Sequence, residues 1–348
     1  IELQKGEPFV LNENVNIFAV DGLQREAEYL QSYLKDVLGL SLNISQKREE
    51  KEVYIELAIS SKVAEREGYI LTVQKKGATI VGGSAAGVFY GIQTLRKSLA
   101  DQSLSLPAVT ITDSPRFGWR GMHLDCSRHF FSTDFVKKFI DLLALHNMNT
   151  FHWHLSDDQG WRIEIKKWPR LIEVGSRRSG TILGTNSDLD DMIPVSGYYT
   201  QEEARDIVKY AAERHITVVP EIDMPGHMLA ALASYPELGC TGGPYLVGHY
   251  WGVYKDVLCV GNSKVYQFVE DVLTEIMDVF PSEVIHIGGD ETPTEKWEQC
   301  AKCQALNLGG ITLQGYFTQK VFDFLTAHHR RALGWDEILE NHAPKDAM

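Results

Sequence analysis

Asp290 and Glu291 are adjacent carboxylates that follow an apolar, β-branched run at 284–288, which reads as a buried strand stopping at Gly288 and Gly289. Glycines there let backbone come close to a ligand, and two acids at one strand end suggest proton transfer. An ionised Asp290 favours a protonated Glu291. Glu291 can then donate to a leaving oxygen while negative charge stabilises an oxocarbenium-like centre, which is the chemistry of acetal cleavage. Neighbours on a regular strand face opposite ways, so both acids serve one site only if the strand ends at Asp290. A solvated acidic loop is the plainer reading, and it is less common after a buried apolar strand.

Four more strand ends carry polar residues. Arg128 and His129 follow a strand at 120–125, and Asp157 and Asp158 follow one at 150–156. Asp223 and His227 follow 217–223, and Trp335 and Glu337 follow 332–335. Core packing does not explain five such ends in succession. His152 and His154 share a strand face and, with His227 and Asp290, suggest a metal hydrolase of the amidohydrolase kind. The lysine or further histidines that such a site needs on later strands are missing, so positioning histidines are the better reading and no metal is expected. Gly288-Gly289-Asp290-Glu291 is also similar to the signature of diguanylate cyclases, which continues with Phe, whereas Thr292-Pro293 follows here. Trp153, Trp161, Trp251 and Trp335 fall at or near the same face, where aromatic rings stack on pyranoses, and Trp335 is the best pocket wall among them.

The elements that position these residues change character along the chain. Residues 1–112 alternate small strands and helices, with Asp21 placed to cap a helix through Leu38 and a hairpin at 75–77. The charged run 46–51 reads as a solvated connection. This first part predicts an α+β accessory domain without chemistry. A punctuated linker, 113–118, leads into a catalytic domain, 119–348, of longer strand-helix units, in which Thr200 and Glu203 have capping-box spacing. Parallel strands alternating with helices predict α/β architecture, either an open doubly wound sheet or a (β/α)8 barrel. Five units are present where a closed barrel has eight. The long stretch between Asp157 and Thr200 reads as a functional loop.

With 348 residues, 44% of them hydrophobic, the chain predicts two globular domains, and no apolar run reaches the length of a membrane span. The net charge of −13 argues against nucleic acid as a partner and is easier to reconcile with an uncharged ligand such as a sugar. Cys240 and Cys259 bracket a Gly/Tyr-rich loop, where a bridge would be useful in an oxidising compartment. Cys300 and Cys303 form a lone Cys-x-x-Cys; zinc would want a second pair, and a local bridge or two free thiols is favoured over metal.

The ordered runs Arg120-Gly121-Met122-His123-Leu124-Asp125-Cys126-Ser127-Arg128-His129, Phe151-His152-Trp153-His154-Leu155-Ser156-Asp157-Asp158-Gln159-Gly160-Trp161-Arg162, Glu221-Ile222-Asp223-Met224-Pro225-Gly226-His227, His286-Ile287-Gly288-Gly289-Asp290-Glu291 and Gly334-Trp335-Asp336-Glu337 carry a specific resemblance. Over residues 115–340 the chain closely resembles the family 20 glycoside hydrolases, the β-N-acetylhexosaminidases, and 1–112 looks like their N-terminal α+β domain. The resemblance implies a (β/α)8 TIM barrel and a retaining, substrate-assisted mechanism without a cofactor, in which the 2-acetamido oxygen is the nucleophile. It implies Glu291 as acid and then base, with Asp290 orienting the acetamido group. Asp157 and His227 become a supporting dyad, Arg128 a ligand for sugar hydroxyls and Trp335 a wall of the acetamido pocket. His154, Glu221 and Asp223 would support these from behind. Some relatives have a disulfide where Cys240 and Cys259 sit. The expected partner is a glycan ending in a β-linked N-acetylhexosamine, and the expected location is periplasmic, secreted or otherwise exported. The family's later strands bring further tryptophans, an acidic sugar ligand and a tyrosine, so the expectation is that 1–348 is a truncated sequence, inactive alone. A glycan-binding relative without catalysis is the alternative.

Overall fold

The structure, a computed structural model, describes residues 1–48, 52–99, 103–185, 187–340 and 347–348. It divides into two compact units. One comprises 1–120 with 141–149 and 212–216, the other 121–140, 150–211 and 217–348.

The first unit is built on seven strands: β1 (Glu2–Leu3), β2 (Asn16–Ala19), β3 (Asn43–Ser45), β4 (Tyr54–Ile59), β5 (Tyr69–Gln74), β6 (Gly77–Gly82) and β7 (Val109–Asp113). Their order in the sheet is β1-β7-β5-β6-β4-β2-β3. β5 and β6 form the expected hairpin, with Gln74 opposite Gly77. Any side chain at Gly77 would collide with the Tyr54 carbonyl, 2.3 Å from where a Cβ would sit. Helices α1 (Gln24–Leu38) and α2 (Ala85–Ser98) complete the unit. α1 buries Ala27, Leu30 and Leu34 at helical spacing and stops at Gly39, whose φ of 71° suits the left-handed cap. Asp21 does not cap it: a turn through Gly22 (φ 89°) carries the chain on to Leu23, and Asp21 accepts from Gln46 instead. Residues 49–51 of the charged run lie outside the described residues. The segments 141–149 and 212–216 join this unit although the sequence division put them elsewhere. Asn149 Nδ2 donates to Glu67 Oε1 (3.3 Å), and His215 Nε2 lies 2.8 Å from the buried Glu26 carboxylate.

The second unit holds five parallel strands in chain order: β8 (Gly121–Asp125), β9 (Thr150–His154), β10 (Thr217–Glu221), β11 (Val284–His286) and β12 (Arg331–Leu333). Helices α3 (Thr133–Leu145), α4 (Gln201–Ala212), α5 (Ser263–Val279) and α6 (Leu313–Ala327) alternate with them, giving consecutive units of a (β/α)8-type barrel. α4 opens with the expected capping box: the Thr200 N–H donates to Glu203 Oε2 (2.8 Å), and the Glu203 N–H donates to Thr200 Oγ1 (3.1 Å). No helix of the described residues is long and apolar enough to cross a membrane.

The stretch between Asp157 and Thr200 has local structure. Ser156–Asp157 pairs with Gly160–Trp161, and Arg177–Arg178 pairs with Val195–Ser196. Buried Arg162 pins the loop by donating to the carbonyls of Ser127 (2.8 Å), Ser176 (2.8 Å) and Gly197 (2.9 Å). Trp153 and Trp161 are fully buried core and not sugar platforms. Alternation along β9 turns Trp153 away from the face that His152 and His154 share, and its indole N–H meets Cys126 Sγ at 3.2 Å.

Candidate active site

The parallel register sets Asp125, His154, Glu221 and His286 side by side on β8 to β11, so their side chains share one face. Glu221 is wholly buried at the centre of this row. His154 Nδ1 lies 2.6 Å and His152 Nε2 2.7 Å from its Oε2, while Trp335 Nε1 donates to Oε1 at 3.0 Å. His286 Nδ1 is 3.1 Å from Oε1. Burial alone would neutralise Glu221, but the charge of His154 and the hydrogen bonds of the surrounding imidazoles hold it well below the usual carboxylate range. Burial opposes charge on His154 as well. Glu221 and Asp157 overcome it and hold His154 well above the usual imidazole value. His152 goes the other way, pushed down to about 4 mainly by burial. Two ligands on one tetrahedral zinc stand about 3.3 Å apart. The 2.6 and 2.7 Å separations are those of hydrogen-bonded pairs, so this geometry favours a proton network over a metal hydrolase.

Asp157 links this row to His227. Its Oδ2 lies 2.7 Å from both His154 Nε2 and Arg128 Nη1, and its Oδ1 lies 3.2 Å from His227 Nδ1. Asp158 Oδ2 is equally close to His227 Nδ1, at 3.1 Å, so the expected dyad is a group of three. Asp158 stood at the right strand end, but only the Ser156–Trp161 hairpin decides that both aspartates face the ring. Burial works against a charged His227, yet its hydrogen bonds to the carboxylates of Asp157 and Asp158 push it up to about 12. A group raised this way contributes stability fully below its unfolded value, about 6.5, and loses it as pH rises through about 12. His227 is therefore expected to stay an imidazolium across the neutral range. Imidazole 15N shifts that titrate near pH 6 to 7 would contradict this.

The far side of His227 meets the acid pair. Its Nε2 is 3.4 Å from Glu291 Oε2 and 3.7 Å from Asp290 Oδ2. Among the described residues neither that nitrogen nor Asp290 Oδ1 has a hydrogen-bond partner, although both atoms are buried. The Glu291 side chain is 53% exposed and reaches the surface of the site. The strand stops at His286, before the acids. Gly288 (φ 68°) and Gly289 (φ 91°) then turn the chain, and His227 (φ 51°) and Glu291 (φ 42°) adopt the same left-handed backbone. Gly288 makes room for a carboxylate of the protein and Gly289 for the side chain of Ile338, not for a ligand. A Cβ on Gly288 would fall 1.8 Å from Asp223 Oδ1, which instead accepts the Gly289 N–H at 3.2 Å. Fully buried Asp223 is raised well above the usual carboxylate range, first by burial and then by the charge of Asp290.

Arg128 is held by Asp125 (3.0 Å), Asp157 (2.7 Å) and Gln159 (3.1 Å) and stays part-exposed. Trp335 packs edge-on to His286 (4.9 Å) and His123 (6.0 Å), while Trp251 is 66% exposed. Cys240 and Cys259 form no bridge. Their sulfurs converge with those of Cys300 and Cys303, a convergence that the sequence separation of the two pairs hides.

Successive strand ends of a parallel β/α barrel converge here on carboxylates, an imidazolium and an indole, which makes the chain a barrel protein with an acidic strand-end site. Two sequence profiles cover nearly all of it. "Glycosyl hydrolase family 20, catalytic domain" matches residues 117–348, and "Glycosyl hydrolase family 20, domain 2" matches 1–114. The chain belongs to glycosyl hydrolase family 20. It is 44% identical over 317 residues to a beta-hexosaminidase of Porphyromonas gingivalis, a match covering 87% of this chain and 40% of the relative. It is 42% identical over 244 residues to a beta-hexosaminidase of Akkermansia muciniphila, covering 69% and 48%. The chain thus spans less than half the length of these curated relatives. Among solved structures it superposes on the exo-beta-N-acetylglucosaminidase of Vibrio harveyi in complex with N-acetylglucosamine. That match has a TM-score of 0.86 and 34% identity, and covers 99% of this chain and 55% of that one.

Proposed function

We propose that the protein is an exo-acting retaining β-N-acetylhexosaminidase that releases terminal β-linked N-acetylglucosamine or N-acetylgalactosamine from glycans. The observation that carries this reading is the pairing of a buried, unpartnered Asp290 Oδ1 with a half-exposed Glu291 above the same imidazolium. Glu291 donates its proton to the glycosidic oxygen as the C1–O bond breaks. The substrate's acetamido oxygen attacks C1 from the opposite face, and Asp290 accepts the acetamido N–H, countering the positive charge of the oxazolinium ring. Glu291, now a carboxylate, takes a proton from water, which opens the ring at C1 and restores the original configuration. His227 holds Asp290 through charge and sits beside Glu291, Arg128 takes sugar hydroxyls, and Trp335 walls the acetamido methyl. The family membership and the relatives' names support the substrate class.

The test uses the full-length protein with aryl substrates whose N-acyl group is fluorinated stepwise, which weakens the nucleophile. The rate is expected to fall by about 10²-fold or more from acetyl to trifluoroacetyl, and a rate indifferent to fluorination would overturn the mechanism. A glycan-binding relative without catalysis is the second reading, and turnover of any aryl β-N-acetylglucosaminide dismisses it. An exported location belongs to the same proposal, tested by fractionating the source cells.

A further inference from the structure

We propose that Cys240, Cys259, Cys300 and Cys303 form a structural tetrathiolate site for zinc, separate from the acidic site. The four sulfurs all lie within 4.8 Å of one another. Cys259 Sγ is 3.6 Å from Cys300 Sγ and 3.7 Å from Cys303 Sγ, and Cys240 Sγ is 3.9 Å from Cys303 Sγ. Four sulfurs at 2.3 Å from one tetrahedral zinc stand about 3.8 Å apart. A disulfide would instead bring one pair to about 2.05 Å and release the others. Three of the six separations match the edges of that tetrahedron, and the other three lie within 4.8 Å.

The backbone around the sulfurs is built for that convergence. The Gly239–Leu258 bridge draws the two ends of the 240–259 loop together, and the Cys259 N–H donates to Leu238 O at 2.8 Å. Gly261 lies against the Cys-x-x-Cys turn so closely that a Cβ would fall 2.2 Å from the Lys302 carbonyl carbon. Its N–H points at Cys303 Sγ, 3.4 Å away, as backbone amides do toward metal-bound thiolates. Buried Trp297 supports both halves: its indole donates to Leu258 O (2.8 Å), and its carbonyl accepts the Cys300 N–H (3.1 Å). Three of the sulfurs belong to buried residues, so the site is closed, as structural zinc sites are. Binding is a proton exchange, in which four thiols and one Zn²⁺ give a doubly negative tetrathiolate and four protons.

The site would fasten the loop that borders the acidic cluster. Midway along it the Gly248 N–H donates to Asp158 O (2.8 Å), and Tyr250 O accepts from Gln159 Nε2 (3.1 Å). The other half of the clip, Cys300 and Cys303, lies on the segment that follows Asp290 and Glu291. Zinc would thus tie two connections into one support, and binding would not depend on the proposed reaction.

The experiment measures metal in the full-length protein purified without chelator, with Co²⁺ exchanged for zinc as a spectroscopic probe. About one zinc per chain is expected, and the cobalt form should show thiolate-to-metal charge transfer with intense tetrahedral d–d bands. Cys259→Ser, and separately the half-exposed Cys240→Ser, should lower zinc content severalfold, whereas Cys126→Ala should keep it. Zinc removal should make the 240–259 loop more sensitive to protease. Four free thiols that take up neither zinc nor cobalt, or two disulfides found by peptide mapping of the unreduced protein, would overturn the proposal.

Discussion

Replacing Glu291 with glutamine in the full-length protein is expected to lower kcat/KM by about 10²- to 10⁴-fold on substrates with poor leaving groups. The loss should be far smaller on aryl glycosides, whose leaving groups need little protonation in the first step. Glutamine keeps the size of the side chain and its contact distance of 3.4 Å from His227 Nε2, but it has no proton to give. Azide should restore turnover of the aryl substrates if hydration of the intermediate has become limiting, because an anion needs no general base. Equal losses on both substrate types would contradict an acid role for Glu291.

Glu221→Gln carries the largest expected effect on stability. The carboxylate is fully buried against three imidazoles and one indole, so the amide leaves a charged His154 without its closest partner at 2.6 Å. Removing one member of a buried charged group costs about 3–5 kcal/mol, to be read as a fall in the denaturant midpoint at neutral pH. The pH dependence gives a second check. A carboxylate depressed in the folded state contributes stability above its unfolded value, about 4.3, and loses it as pH falls through the lower folded value. The variant should lack this acid-side loss and unfold less steeply between neutral pH and acid. His154 moves oppositely, contributing below about 6.5 and losing it only as pH rises through its own raised value. A variant within about 1 kcal/mol of the parent would mean that the histidines find other partners.

Much of this site was legible because strand ends of a parallel barrel face the same way. A polar residue just after an apolar run is therefore informative on its own, as at Asp157, Asp223 and Asp290. The capping box at Thr200 was legible for a similar reason, since its chemistry lies within four residues. What escaped depends on geometry that spacing does not encode. Nothing in Asp157-Asp158 says that both carboxylates reach His227 Nδ1 within 0.1 Å of each other, because that follows from the hairpin behind them. Gly288 read as room for ligand, whereas its missing Cβ is room for Asp223, a residue 65 positions earlier. Trp153 could have been assigned to the core from alternation with His152 and His154 alone. The cysteine pairs are joined through a β-bridge and a glycine contact, neither of which a cysteine count reveals.

His227 and Glu291 both occupy left-handed backbone, a region that a β-carbon disfavours by about 1 kcal/mol or more and that glycine enters freely. At Glu291, whose side chain is 53% exposed, the backbone by itself would be better served by glycine, yet glycine would erase the carboxylate. At His227 the buried imidazolium holds Asp157 and Asp158, and removing it would cost more than the strain it relieves. Selection for thermal stability alone would thus be drawn to Glu291, a position that the chemistry can least spare. A stabilised variant of this protein has to take its gains elsewhere, for instance on the exposed faces of the outer helices.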